Sequence, residues 1–224
     1  VISGQKSSWV SNGTIATHTL AFLNVQPELG MMGTGIAVIP LNLPGVSKGP
    51  ALNKLGQRPL NQGEIFFDDV HIPAHYMLVQ PPNAMGGIDT ILAGANAGMS
   101  TTFSGVARAA FEEALAYTQT RIQGGVPISS HQLVQKRLFD MFTRVQASRA
   151  LSRKANLRLT SGEPTTHYSM AAKVFATRTA FDVASDASEL FGGMGMVKGV
   201  LVEALMRDAR ASLIEDGSND TLSI

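Results

Sequence analysis

The sequence predicts an α+β fold, in which an antiparallel β domain is followed by a four-helix up-down bundle. Up to about Pro82 the 224-residue chain is rich in Gly, Pro and short runs of β-type residues. From about Ile88 onward it has long segments whose apolar residues recur at helical spacing. With 44% hydrophobic and only 16% charged residues, the chain can bury a substantial core. We therefore expect two domains, at residues 1–84 and 85–224.

The first domain is predicted to consist of short antiparallel strands. Three runs bounded by turn residues are typical of such strands, at residues 17–23, 35–40 and 64–70. The chain also opens on Val1 inside a strand-like run, without an initiating Met. We therefore expect that sequence upstream of Val1 is missing.

The second domain is predicted to contain four helices, at roughly residues 88–121, 129–160, 165–191 and 199–215. Ser129 or Ser130 is expected to cap the second helix, and the sequence SGEP at residues 161–164 is expected to end it. The third helix should end at Gly192 and Gly193. Helices of this length joined by short loops are best buried as an antiparallel bundle.

Composition excludes several classes of function. The net charge is +1 and the sequence has no Lys/Arg-rich run, which argues against nucleic acid as a partner. The absence of Cys excludes disulfides and thiolate catalysis, and the five His lack metal-ligand spacing, so we expect no metal site. No stretch approaches the ~20 apolar residues of a membrane helix, so we expect no membrane insertion. The predicted location is the cytoplasm, or the mitochondrial matrix if the protein is eukaryotic.

Two adjacent acids, Glu215 and Asp216, lie where the fourth helix is predicted to end in a turn at Gly217. A carboxylate at such a junction can project into a cleft and act as a base, and the glycine lets a ligand approach the backbone. Asp-Gly is also a common turn dipeptide, so a solvated helix terminus is the alternative.

Three stretches, at residues 55–73, 191–218 and 6–13, match known sequence motifs, and together they resemble the acyl-CoA dehydrogenase superfamily. Residues 55–73, LGQRPLNQGEIFFDDVHIP, are similar to the family signature, in which a G-x-R turn leads to an E-L-x-F-x-D-V-x-V-P strand. Residues 191–218 resemble the family's F-G-G-x-G, R-D-A and E-G-T tail in both letters and intervals. Residues 6–13, KSSWVSNG, are similar to the family's K-x-W-I-T-N-G segment. The resemblance implies the middle β domain and the C-terminal helical domain of the family, with its N-terminal helical domain absent.

The resemblance implies FAD as the cofactor and assigns a set of contacts to it. Trp9 would pack against the flavin ring and Ser11 would bond near its reactive nitrogen, the alternative for Trp9 being a buried structural role. Arg121 would contact the FAD diphosphate of a neighbouring subunit, which suits a bidentate guanidinium. The remaining implied contacts are Gln132, Glu189, Gly192, Gly193, Ser218 and Asp220. A homodimer or homotetramer follows, because the family completes this site across a subunit interface.

Two of these positions differ from the family pattern. Glu189 stands where relatives usually carry Gln, and a carboxylate near a diphosphate would repel it unless it is protonated or paired. Gly124 stands where relatives carry Phe after the arginine.

The resemblance also implies a mechanism, in which a carboxylate removes the α-proton of an acyl-CoA thioester while a hydride leaves the β-carbon for flavin N5. The base position aligns with Asp216, and Glu215 is the neighbouring candidate. Relatives carry Glu, and the shorter Asp would stand back by over an ångström, which can cost on the order of a hundredfold in rate. The other position used for the base in some relatives is Ala95, beside Asn96, so no substitute base is present there.

Two alternatives remain open. An Asp at this position is the arrangement of nitroalkane oxidases, flavoproteins of the same superfamily, although the Arg that they pair with the Asp aligns with Ser223 and their serine aligns with Ala95. The other alternative is a non-catalytic fragment or degenerate homologue that acts in assembly. For the dehydrogenase, we expect an acyl-CoA substrate, and an electron-transferring flavoprotein or oxygen as the electron acceptor.

Overall fold

The computed structural model describes all 224 residues except Pro164 and the side chain of Met85. The chain divides into two compact units, residues 1–90 and 91–224. The first unit is built of strands and the second of helices, as the sequence predicts.

The first unit consists of two three-stranded antiparallel sheets. One sheet has the order β1-β5-β4 and the other has the order β2-β3-β6. The strands are β1 (Ile2–Ser11), β2 (His18–Asn24), β3 (Thr34–Pro40), β4 (Val46–Lys48), β5 (Gln62–Val70) and β6 (Met77–Val79). The runs predicted at 17–23, 35–40 and 64–70 are confirmed as β2, β3 and β5.

The strands of the first unit bury one shared core. In β2 buried and exposed residues alternate, because successive side chains of a strand point to opposite faces. The fully or nearly buried side chains of this core are Ala21, Ala37, Ile39, Leu41, Ile65, Phe67 and Val70.

The second unit is a helical bundle. The helices are α1 (Ala84–Thr120), which begins in the first unit, α2 (Gln132–Thr160), α3 (Thr166–Phe191), α4 (Leu201–Ser212) and the short α5 (Asn219–Leu222). Among the described residues, no helix combines the length and apolar character needed to cross a membrane.

Small residues line much of the bundle core and let the helices approach closely. Six of its thirteen buried residues come from α1 and α3 as alanines, namely Ala107, Ala110, Ala114, Ala180, Ala184 and Ala187. Larger side chains such as Met141 and Val145 of α2 fill the space between them. Where α1 meets α2, two pairs of hydroxyls bond each other: Ser100 with Ser152 at 2.9 Å, and Ser104 with Ser148 at 2.6 Å.

The connection between α1 and α2 is a two-residue hairpin. Strands β7 (Ile122–Gln123) and β8 (Val126–Pro127) pair through a turn at Gly124 and Gly125. Both glycines have positive φ, 65° and 83°, as the favoured two-residue hairpin turn requires. The turn is therefore the local reason for Gly at position 124.

Two helix boundaries differ from the sequence prediction. Residues Ile128–Ser130 form a single 3₁₀ turn, so the N-cap of α2 is His131, and the prediction of Ser129 or Ser130 is wrong. The fourth helix ends at Ser212 rather than near 215. There the chain turns back, and the backbone N–H of Asn219 donates to the carbonyl of Leu213 at 3.0 Å.

Candidate functional site

The two acids of the predicted catalytic turn lie on the loop between α4 and α5. Asp216 is exposed and Glu215 is partly buried. Asp216 and Gly217 have φ values of 49° and 92°, both in the left-handed region. Asp tolerates this region better than most residues, and Gly tolerates it without penalty. The turn therefore directs the Asp216 side chain to solvent by a backbone conformation that few other residue pairs adopt readily.

A buried lysine holds this loop, and sequence reasoning did not identify it. Lys173 of α3 is fully buried, and its Nζ donates to the carbonyl of Gly217 at 2.6 Å and to Oδ1 of Asn219 at 3.0 Å. Burial lowers the pKa of Lys173, while the negative charges of Asp216 and Glu215 act in the opposite direction. A signal was present, because Lys173, Thr177, Ala180 and Ala184 are spaced as one buried stripe of a helix.

Ser218 and Asp220 lie just beyond the turn, at the start of α5. The side chain of Ser218 is the N-cap of α5 and accepts from the backbone N–H of Thr221 at 3.2 Å. Asp220 is exposed in the first turn of the same helix. Between these two predicted contacts, Asn219 is buried and bonds Thr177 of α3.

The other predicted residues of the second unit gather at the opposite end of α3. Glu189 and the pair Gly192–Gly193 lie at its C-terminal end. The end of α1 meets this region, since the rings of Tyr117 and Phe191 stack with centroids 4.0 Å apart. Arg121 directly follows α1 and Gln132 begins α2, and both are exposed.

Glu189 forms a salt bridge with an arginine side chain. Nη1 of Arg137 on α2 donates to Oε2 of Glu189 at 2.6 Å. Arg137 also lies 3.9 Å from Asp186, whose pKa is raised by burial, an effect opposed by Arg137 and Arg144. The repulsion that an unpaired Glu189 would exert on a diphosphate is thus reduced by its neighbour.

The glycines that follow α3 differ in their surroundings. A Cβ placed on Gly192 or Gly193 would meet no heavy atom within 4 Å. A Cβ on Gly195 would lie 2.1 Å from the backbone oxygen of Ser188, whose hydroxyl donates to the carbonyl of Gly195. Gly195 is therefore required by the packing of the turn itself, whereas the space at Gly193 is open to a ligand.

The predicted residues of the second unit thus form two separate groups. Lys173, which holds the loop of Asp216, and Glu189 both lie on α3, and their separation along the chain corresponds to about 24 Å of helix. One group contains Glu215, Asp216, Ser218 and Asp220, and the other contains Arg121, Gln132, Glu189, Gly192 and Gly193. A single chain therefore does not bring all of them together.

Trp9 and Ser11 belong to the first unit, where both lie on β1. Trp9 is 60% exposed, so its alternative as a buried structural residue is wrong. Ser11 is exposed as well, and its hydroxyl lies 3.4 Å from the side-chain amide of Gln62 on β5.

The helix that leads into the loop is fixed by an ion pair. Arg207 of α4 makes two contacts with Glu203, at 2.6 and 2.9 Å, and Glu203 is 6% exposed. The hydrogen bond from Arg207 lowers the pKa of Glu203. The arginine of the Arg-Asp-Ala motif therefore has a structural role in α4, because it pairs with Glu203 one helical turn earlier.

Among the described residues, no group of three or more acids and histidines is placed to hold a metal ion.

Comparison with known proteins agrees with this architecture. Residues 88–223 match the family model "Acyl-CoA dehydrogenase, C-terminal domain". The chain is 33% identical over 220 residues to cyclohex-1-ene-1-carbonyl-CoA dehydrogenase of Geobacter metallireducens, covering 98% of this chain and 58% of that protein.

Solved structures extend the agreement to the β unit. Butyryl-CoA dehydrogenase from Megasphaera elsdenii matches with a TM-score of 0.94 and 29% identity, covering 99% of this chain and 57% of the other. A structure of PigA with FAD and proline matches with a TM-score of 0.93 and 25% identity, covering 99% and 57%. The chain spans somewhat more than half the length of the relatives that it matches. It belongs to the acyl-CoA dehydrogenase family.

Proposed function

We propose that the protein acts as an FAD-dependent acyl-CoA dehydrogenase in which Asp216 removes the α-proton of the substrate. One observation carries this proposal: Asp216 is an exposed carboxylate on a loop whose neighbouring backbone is held by a buried lysine. A catalytic base must be reachable by the substrate and fixed in direction, and the exposure of Asp216 and the anchored backbone beside it support this role. The proton would pass to the Asp216 carboxylate as the hydride leaves the β-carbon.

The residues that would hold FAD fit such a group. Trp9 offers an exposed aromatic face, and Gly193 leaves room for close approach to the backbone. Arg121 is exposed and makes no ion pair with any residue that the structure describes, so its charge is available to a diphosphate. When bound, FAD would supply the hydride acceptor at N5.

The two groups of residues on the helical unit support a cofactor shared between subunits. The residues around Asp216 would face the substrate and flavin of their own subunit, and the group around Glu189 would face the diphosphate part of a neighbour's FAD. The length of α3 between the groups favours two different cofactors rather than one. We therefore propose a homodimer or homotetramer, with an electron-transferring flavoprotein or oxygen as the final acceptor.

Asp216 is the preferred base over Glu215. Asp216 is exposed, whereas Glu215 is partly buried. The choice is tested by two variants that remove charge with little change in size, Asp216→Asn and Glu215→Gln. Asn also tolerates the left-handed conformation of position 216, so Asp216→Asn tests the charge and not the backbone.

The test is anaerobic reduction of FAD in the purified protein, with FAD added, by a panel of acyl-CoA thioesters and by a nitroalkane. We expect an acyl-CoA to bleach the flavin, and Asp216→Asn to slow the bleaching by about 10²-fold or more. Glu215→Gln should react within a few-fold of the wild type. Equal rates for Asp216→Asn and the wild type would remove Asp216 from the base role.

The other outcomes separate the remaining hypotheses. Bleaching by the nitroalkane alone would favour an Asp-based oxidase, the reading that the identity of residue 216 supports. Failure to bind FAD at all would favour the non-catalytic reading. The match to a structure that contains proline makes a panel of substrates necessary, because the fold does not fix the substrate.

A further inference from the structure

Lys173 is the largest fully buried side chain in the described part of the chain, and the proposed chemistry does not use it. Burying an amine that can ionise is unfavourable unless hydrogen bonds compensate. A lysine in the middle of an alanine-rich helix face therefore has to be explained by what it contacts.

Lys173 Nζ donates two hydrogen bonds, and both reach residues just after Asp216. The 2.6 Å bond to the carbonyl of Gly217 reaches the peptide group immediately beyond Asp216. This is the point at which two consecutive residues hold left-handed φ values. Such a backbone persists only where its surroundings hold it in place, and Lys173 supplies a bond at that position.

A second branch of the same network fixes the far side of the loop. Lys173 bonds Oδ1 of Asn219 at 3.0 Å, and the Thr177 hydroxyl, one helical turn along α3, lies 2.9 Å from the side-chain nitrogen of Asn219. The backbone N–H of Asn219 in turn donates to Leu213 at 3.0 Å. Residues 213–219 are thereby closed into a loop whose two ends are joined and whose middle is attached to α3.

We propose that Lys173 is a positioning residue for catalysis, which fixes the direction of the Asp216 carboxylate by bonding the carbonyl of Gly217 and the side chain of Asn219. This inference rests on the proposed function, since it requires that Asp216 is the base. An apolar residue of similar length, such as Met, fills the volume but cannot make either bond. Loss of the bonds frees the turn, and an ångström of displacement at the base is enough to slow proton transfer.

The first test measures the loop without reference to activity. Lys173→Met is compared with Lys154→Met, which changes an exposed lysine of α2. Amide hydrogen exchange in residues 213–222 should be roughly tenfold faster or more in Lys173→Met, because two hydrogen bonds to the loop are lost. It should be unchanged in Lys154→Met.

The second test measures flavin reduction by the acyl-CoA that reduces the wild type. We expect the limiting rate of Lys173→Met to fall by about a hundredfold, while the half-saturating substrate concentration and FAD content stay within a few-fold of the wild type. General destabilisation would instead lower FAD content or move both kinetic parameters. A limiting rate equal to that of Lys154→Met would overturn the proposal, and so would unaltered exchange of the loop.

A second variant covers the case in which Lys173→Met does not fold. Thr177→Val keeps the volume of the side chain and removes the hydroxyl bonded to Asn219. It should loosen the same loop and lower the same limiting rate by a smaller factor, and no change in either would refute the network. If the wild type reduces no flavin with any substrate, the proposed function fails, and hydrogen exchange alone then decides whether Lys173 holds the loop.

Discussion

Gly195 and Gly193, two residues apart after α3, should respond in opposite ways to the same substitution. In Gly195→Ala the new Cβ would lie 2.1 Å from the backbone oxygen of Ser188 and 2.8 Å from its hydroxyl oxygen. The backbone oxygen would have to move by more than about 1 Å to reach an ordinary contact distance. Ser188 lies inside the last turn of α3, so this movement disturbs the helix end.

Two contributions determine how far Gly195→Ala lowers the free energy of unfolding. Overpacking of this kind costs about 1–3 kcal/mol. Loss of the 2.9 Å bond from the Ser188 hydroxyl to the Gly195 carbonyl adds about 1 kcal/mol. We expect the free energy of unfolding to fall by about 2–4 kcal/mol, which lowers Tm by about 5–15 °C for a chain of this size.

Gly193→Ala is the matched control, because its Cβ would have open space. Its free energy of unfolding should stay within about 0.5 kcal/mol of the wild type, or rise slightly. FAD binding should weaken instead, if the cofactor approaches the backbone here as proposed.

Urea and thermal unfolding followed by far-UV circular dichroism, with FAD titration in parallel, measure both effects. The helical signal reports the second unit, which can unfold separately from the first. Wild-type stability in Gly195→Ala would refute the packing argument. Unaltered FAD affinity in Gly193→Ala would refute the proposed approach of the cofactor.

Three further predictions test other parts of the helical unit. Met141→Ala should lower the free energy of unfolding in a urea titration by about 2–5 kcal/mol, because Met141 is fully buried in the core. The control is Leu157→Ala on the same helix, where the side chain is 67% exposed, and it should change the free energy of unfolding by under about 0.5 kcal/mol. Lys173 has a folded pKa below its usual 10.5, so between those two values the unfolded chain binds a proton that the folded chain does not, and raising the pH favours folding. Urea unfolding from neutral pH to 10.5 should therefore show stability rising in the wild type relative to Lys173→Met, and parallel curves would contradict a lowered pKa. Glu189→Gln should change stability by under about 1 kcal/mol, because its pair with Arg137 is largely exposed, and should tighten FAD binding by removing a negative charge; unaltered binding would place Glu189 away from the diphosphate.

The elements that follow one clear period were predictable from sequence. Strand β2 alternates buried and exposed residues, and the long helices carry the apolar spacing that defines them. Strands β3 and β5 were recognised instead as runs of β-type residues bounded by turn residues. Strands β4 and β6 were not predicted individually, because three residues are too few to show a period. The end of α4 was placed too late because the apolar pattern continues through Ile214, while the bond from Asn219 to Leu213 turns the chain back.

The candidate site was predictable to the extent that its residues lie in continuous motifs. Asp216 and the Gly192–Gly193 pair were assigned from their spacing in the tail, and their roles stay predictions. Lys173 was missed because its loop contacts lie more than forty residues away in sequence. The pairing of Glu189 with Arg137 could not be predicted from the sequence either, because it joins two different helices.

The hydroxyl pairs between α1 and α2 have a consequence for how those helices are aligned. Alanine methyls are nearly interchangeable, so an alanine-rich interface by itself discriminates weakly between one longitudinal offset and the next. Hydrogen bonds are directional: a slide of one turn, about 5.4 Å, would let Ser104 meet Ser152 but would separate Ser100 and Ser148 from the hydroxyls that they now bond. The two serines on each helix thus favour one longitudinal offset between α1 and α2. The longitudinal alignment of α1 with α2 is therefore set by four serines as well as by the hairpin that joins the two helices.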